Sequence, residues 1–180
     1  QLKFYKNDSL YNLGCLRGDP GSGNQAMFYA IFLIHSNKFI GSDSSEELKS
    51  WVDRHLESIN RFGFWGQSLN LKQLHFQNGY HQYEIFEYLD LDLKNISFKL
   101  EAIQKLKDPL GHFAPYPGGG GCYDYDAIFL LTSKYAVREE SLEETLLQTY
   151  KQIITEQNMD GGFAENILNK SSLKFFKLSI

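Results

Sequence analysis

Cysteine is nearly missing from this chain: in 180 residues there are two, Cys15 and Cys122. Two are too few for a disulfide framework and neither stands in a paired metal-binding spacing, so the sequence favours a reducing, cytoplasmic setting. Long apolar runs are missing as well. The longest, Ala26 to Ile34, is about half of what a bilayer requires, and no transmembrane helix is expected. There is no basic block either. With Lys and Arg scattered and a net charge of −4, the chain has little electrostatic reason to bind nucleic acid. No signal-peptide pattern follows Gln1, which reads as a processed, trimmed or cut end. The glycines ending at Gly121 are not followed by Gly-Lys-Ser/Thr, so they read as a flexible loop and not a phosphate cradle.

What the chain does have is a hydrophobic content of 42%, enough to bury one core, so residues 1–180 read as a single domain. It also nearly repeats itself. Gly79-Tyr-His-Gln-Tyr-Glu-Ile-Phe-Glu-Tyr-Leu89 returns 42 residues later as Gly121-Cys-Tyr-Asp-Tyr-Asp-Ala-Ile-Phe-Leu-Leu131. Such periods mark arrays of like units. Around this match, one order of parts occurs three times: an apolar helix, an amphipathic helix, then a Gly-aromatic turn.

The first unit (about 24–66) has apolar Ala26 to Phe39, a capping-box pattern at Ser44-Ser-Glu-Glu47, and Leu48, Trp51, Val52, His55, Leu56 and Ile59 at helical spacing. The second (79–113) has Tyr80 to Leu89 and a helix from about Ser97 that stops near Asp108-Pro109. The third (122–163) has Cys122 to Tyr135, a capping-box pattern at Ser141-Leu-Glu-Glu144, and a stripe of Leu142, Leu146, Tyr150, Ile153 and Ile154. The turns at Gly63-Phe-Trp65, Gly111-His-Phe113 and Gly161-Gly-Phe163 recur at intervals of 48 and 50 residues. This pattern predicts an all-α fold, a two-layer array of αα hairpins with the more apolar helix of each pair inside.

Gln157-Asn-Met-Asp-Gly-Gly-Phe163 resembles the Gln-Trp repeat of the squalene cyclase and protein prenyltransferase superfamily, and Gly63-Phe-Trp65, with Asn60 in place of Gln, resembles it in part. The resemblance covers roughly residues 24–166 and implies a partial or complete α/α toroid, with its cavity at the end where the inner helices begin. Three hairpins would make about half of such a ring: a fragment, an open arc, or a half completed by a second half-toroid or a second copy.

Asp124-Tyr-Asp126-Ala127 resembles the Asp-X-Asp-Asp acid motif of class II terpene cyclases, with Ala127 where the family has its last Asp. That implies Asp126 as the acid, with Asp124 beside it, acting on an apolar isoprenoid substrate. Protonating an alkene needs a neutral carboxylic acid in an aromatic-lined pocket, and Tyr80, His81, Tyr83, Glu84, Tyr123 and Tyr125 are the residues expected to line it. A plainer reading has both aspartates favouring the positive end of a helix dipole. Gly121-Cys-Tyr123 and Tyr80-His81 also resemble the zinc-binding segments of prenyltransferase β subunits, which implies Cys122 and His81 as zinc ligands, although Gly120 stands where that family has a ligand Asp. The competing class is a non-catalytic or accessory binding module whose tyrosines and carboxylates take a glycan or protein ligand.

Overall fold

The computed structural model describes residues 16–18, 21–66, 72–93, 100–136 and 140–164. Among them the regular structure is helical, with no strand beyond an isolated bridge between Gln157 and Phe163. The α-helices are α1 (Ser22–His35), α2 (Ser45–Glu57), α3 (Gln73–Tyr88), α4 (Leu100–Gln104), α5 (Cys122–Thr132) and α6 (Glu140–Thr155), and a π-helical segment, Ser36–Ile40, follows α1. The described part of the chain is therefore all-α. α1, α3 and α5 lie side by side in that order, α2 packs on α1, and α4 and α6 pack on α5. Each expected inner helix is thus a neighbour of the next. A start at Ser97 for the fourth helix lies outside the described residues.

The three turns are built alike. The N–H groups of Asn60, Asp108 and Asn158 donate to the carbonyls of Phe64, His112 and Gly162 at 2.6, 2.8 and 2.7 Å. Gly63, Gly111 and Gly161 each donate back to the residue three positions earlier, at 2.9, 3.1 and 3.0 Å. All three glycines have φ between 86° and 112°, which is why no other residue serves there. The first residue of the turn then locks it. Asn60 Oδ1 accepts the N–H groups of Phe62 and Phe64, and Asp108 Oδ1 accepts those of Leu110, Gly111 and His112. A short polar side chain that bonds its own backbone is the physical reason these segments turn.

Below the first turn lies an aromatic core. Trp65 packs edge or tilted against His55, Tyr83 and Phe86, and Trp51 packs on His55 and Phe86. Below the second, Phe113 meets Phe76 of α3, which in turn meets Tyr123 of α5. Both plugs, Trp65 and Phe113, are buried.

Several sequence expectations are corrected here. α3 begins at Gln73, so Gly79 lies inside a helix and does not start one. A side chain at Gly79 would overlap the Phe64 ring, and one at Gly23 would overlap the Asn78 backbone. These glycines permit close approach of α3 to the first turn and to α1. The starts of α3 and α5, residues 73 and 122, are 49 apart, in step with the turns and not with the 42-residue match. Segments 79–89 and 121–131 are therefore out of register by about two helical turns. Neither capping box forms as read: Ser44 makes no side-chain cap, and α6 begins at Glu140, which puts Ser141 inside it.

Candidate functional site

Asp124 and Asp126 share the first turns of α5. Two residues on a helix differ by about 200° around its axis, so the two carboxyls face different ways. The fold uses this separation. One aspartate faces the second turn and the other faces α3.

Asp126 is 1% exposed, with the Tyr80 hydroxyl beside its carboxyl. Burial pushes its pKa up to about 8; the Tyr80 hydroxyl acts against the rise, and the Glu84 charge adds to it. Burial also raises Glu84, against the Tyr125 hydroxyl, which donates to its Oε1 at 3.2 Å. Burial raises Tyr80 too, helped by the charges of Asp126 and Glu84. The Tyr80 ring packs against Tyr125 at 5.9 Å, Phe129 at 6.2 Å and His81 at 4.0 Å. His81 is buried, its Nδ1 is unpaired and 4.0 Å from Glu84 Oε2, and burial lowers it to about 4, so it is neutral at physiological pH. The arrangement holds a neutral carboxylic acid beside a neutral imidazole, within a shell of aromatic rings that grades outward to Tyr125 at 56% exposure.

Asp124 belongs to a second cluster. Its Oδ2 lies 2.7 Å from His112 Nδ1 and its Oδ1 accepts the Phe113 N–H at 2.8 Å. Glu156 Oε1 lies 3.1 Å from the other ring nitrogen. All three side chains are buried. Burial raises Asp124, and its bonds to His112 and Phe113 oppose the rise.

The glycine run supports this cluster and is ordered throughout. Gly118 N–H donates to Asp108 Oδ2 at 2.7 Å, Gly119 sits against the Tyr116 ring, and a Cβ at Gly120 would overlap Asp124 Oδ2 and crowd His112 Nδ1. The flexible loop expected from the sequence is a packed one. Asp108, collecting four backbone N–H groups in all, is held below its usual value although burial acts the other way.

Of the residues expected at one site, Tyr80, His81, Glu84, Tyr125 and Asp126 are brought together. Tyr83 is not among them: it is fully buried in the core, where its hydroxyl donates to Gly63 O at 2.5 Å. Tyr123 is directed to Phe76. His75 lies in the first turn of α3 and accepts the Lys72 N–H through Nδ1 at 3.0 Å. Cys122 is exposed at the first position of α5, His81 is buried within α3, and no three His, Cys, Asp or Glu side chains are placed to hold a metal among the described residues. The zinc set implied by resemblance does not fit these positions.

A cavity of about 550 Å³ opens at the other end of α5, lined by Glu87, Leu131, Ser133, Lys134, Leu142 and Leu146, and none of the candidate residues borders it. His112, Glu156 and Asp108 were passed over in the sequence. The one available signal for them was position, since His112 and Asp108 sit in the turn with the repeat spacing. No protein-family model matches this sequence, and no curated protein and no solved structure matches it.

Proposed function

We propose that this protein carries out acid-catalysed chemistry on an apolar, isoprenoid-type substrate, with Asp126 as the acid. The observation that carries the reading is a carboxyl at 1% exposure, with the Tyr80 hydroxyl beside it, raised by burial to about 8, so that it keeps its proton at neutral pH. In water a carboxylic acid of ordinary strength has already lost that proton. Held neutral beside Tyr80, it donates the proton to one carbon of an alkene; the π pair forms the new C–H bond, and the positive charge is left on the other carbon. Ring faces of Tyr80, Tyr125 and Phe129 suit that charge, and their apolar bodies keep water from quenching it. Glu84, paired with Tyr125 nearer the solvent, is placed to take up the proton lost when the cation collapses. On this reading α1, α3 and α5 are the inner helices of an arc of an α/α toroid, and α2, α4 and α6 are outer ones.

The test is incubation of the folded protein with prenyl diphosphates and linear polyprenes, followed by mass spectrometry of the extract. The wild type is expected to form a product that Asp126→Asn abolishes. A folded wild type that neither turns over nor binds any of these compounds would overturn the proposal. A second reading, a glycan-binding module, has one observation of its own: the exposed Tyr125 ring stands next to a carboxylate, as a sugar site requires.

A further inference from the structure

Ten of the fourteen large hydrophobic side chains left exposed among the described residues lie at the two ends of the helix array, so the ends and not the middle are uncovered. At one end, Phe28, Ile31 and Phe32 share the side of α1 opposite its buried stripe of Ala26, Ala30 and Leu33, and Phe39 and Ile40 are exposed in the π-helical segment that continues it. At the other, Leu147, Tyr150 and Ile154 recur at helical spacing on the exposed side of α6, followed by Met159 and Phe163 in the third turn. Arrays of like units close their ends with polar faces. Two apolar ends are two surfaces that call for a partner.

What belongs on the second of these ends can be read from the repeat. The aromatic residue two places after the turn glycine is Trp65 in the first turn, Phe113 in the second and Phe163 in the third. Trp65 and Phe113 are buried, and each turn is met by the inner helix that follows it: Trp65 packs on Tyr83 and Phe86 of α3, and the Phe113 N–H donates to Asp124 of α5. Phe163 is 54% exposed. The glycine carbonyls differ in the same way, since Gly63 O and Gly111 O accept the buried hydroxyls of Tyr83 and Thr149, whereas Gly161 O accepts the exposed Gln157 side chain at 3.2 Å. The third turn is a socket for an inner helix, and α1 is the inner helix with an exposed apolar side.

Charge separates this pairing from the alternatives. Residues 22–40 contain His35 and Lys38 and no carboxylate, whereas α6 and the third turn expose Glu143, Glu144 and Asp160 against Lys151. Two α6 ends brought together would set carboxylates against carboxylates, and an α1 end brings none. We propose that this protein associates with second copies of itself head to tail, the exposed side of α1 in one copy packing on α6 and the third turn of the next, as α3 packs on the first turn and α5 on the second. The contact covers Phe163 and both apolar surfaces together. It uses no residue of the Asp126 site and stands whether or not Asp126 acts as an acid.

A pairing of unlike ends has a signature that a pairing of like ends lacks. Ile31→Glu spoils the α1 end and leaves the α6 end intact, and Ile154→Glu does the reverse. Sedimentation velocity on the full chain, at concentrations up to about 100 μM, reads the mass. The wild type is expected to reach at least double the monomer mass as concentration rises. Each variant alone is expected to stay a monomer, and since both positions are exposed neither change disturbs the core. Mixed in equal amounts, the two variants are expected to restore the doubled mass and to go no further, because each brings one working end; that recovery also shows both to be folded. A wild type that stays monomeric throughout has its ends covered by something else, another part of the chain or a different protein, and overturns the proposal. A variant that still doubles on its own overturns it as well, as does a mixture that stays monomeric when circular dichroism finds both variants folded.

Discussion

Replacing the proposed acid should make the protein more stable, and by an amount that depends on pH. In the unfolded chain Asp126 loses its proton near its ordinary value of 3.8, whereas the folded chain keeps it to about 8. The folded value is the higher one, so whatever stability the group allows is present in full below about pH 4 and is lost as pH rises toward 8. Each pH unit in that window costs about 1.36 kcal/mol, or about 4 kcal/mol between pH 5 and pH 8. Water reaches the neighbouring Tyr125 and Glu84 and screens part of this, so about 2 kcal/mol is the working figure. Asn has the same shape and no charge to lose. Urea unfolding of the wild type and Asp126→Asn at pH 5 and pH 8 measures the effect as the change in the stability gap between the two proteins. The gap should move in favour of Asp126→Asn by about 2 kcal/mol on going to pH 8. A gap that is the same at both pH values would refute the account of Asp126 as a buried neutral acid.

Other substitutions separate the two clusters. Gly120→Ala places a methyl group on Asp124 Oδ2 and should cost about 2–4 kcal/mol, read as a fall in the urea midpoint, with little change in the titration of Asp126. His55 is fully buried, its Nδ1 is 2.7 Å from Trp51 O, and burial lowers it from 6.5 to about 4. A lowered histidine destabilises the fold as pH falls from about 6.5 toward 4, here by up to about 3 kcal/mol, and His55→Gln should flatten the acid limb of the thermal unfolding profile.

The turns were the most legible part of the sequence because their chemistry is local. The Asn60 and Asp108 side chains bond their own backbone, and in all three turns the glycine three positions after the first residue supplies the positive φ, so spacing alone located them. The start of α3 was illegible for the opposite reason. Gln73 to Asn78 is mostly polar, and Gly79 signals a break unless the Phe64 ring packed against it is known. The 42-residue match misled in the same way. It aligned Tyr83 with Tyr125, yet one is in the core with its hydroxyl on Gly63 and the other is at the surface on Glu84. Asp126 was legible as a candidate from its motif and its apolar surroundings. His112 and Glu156 were not, because the cluster they form with Asp124 joins residues that are 12, 32 and 44 apart in sequence.

The carbonyl at the glycine of each of the first two turns is fastened by a later hairpin: Gly63 O accepts the Tyr83 hydroxyl of α3, and Gly111 O accepts the Thr149 hydroxyl of α6. At these two carbonyls the donor comes from the later residue. Unravelling a hairpin therefore removes a hydroxyl donor and leaves a buried carbonyl unsatisfied in the one before it. Synthesis from the N-terminus meets the same asymmetry, since each turn emerges before the hydroxyl that will hold it.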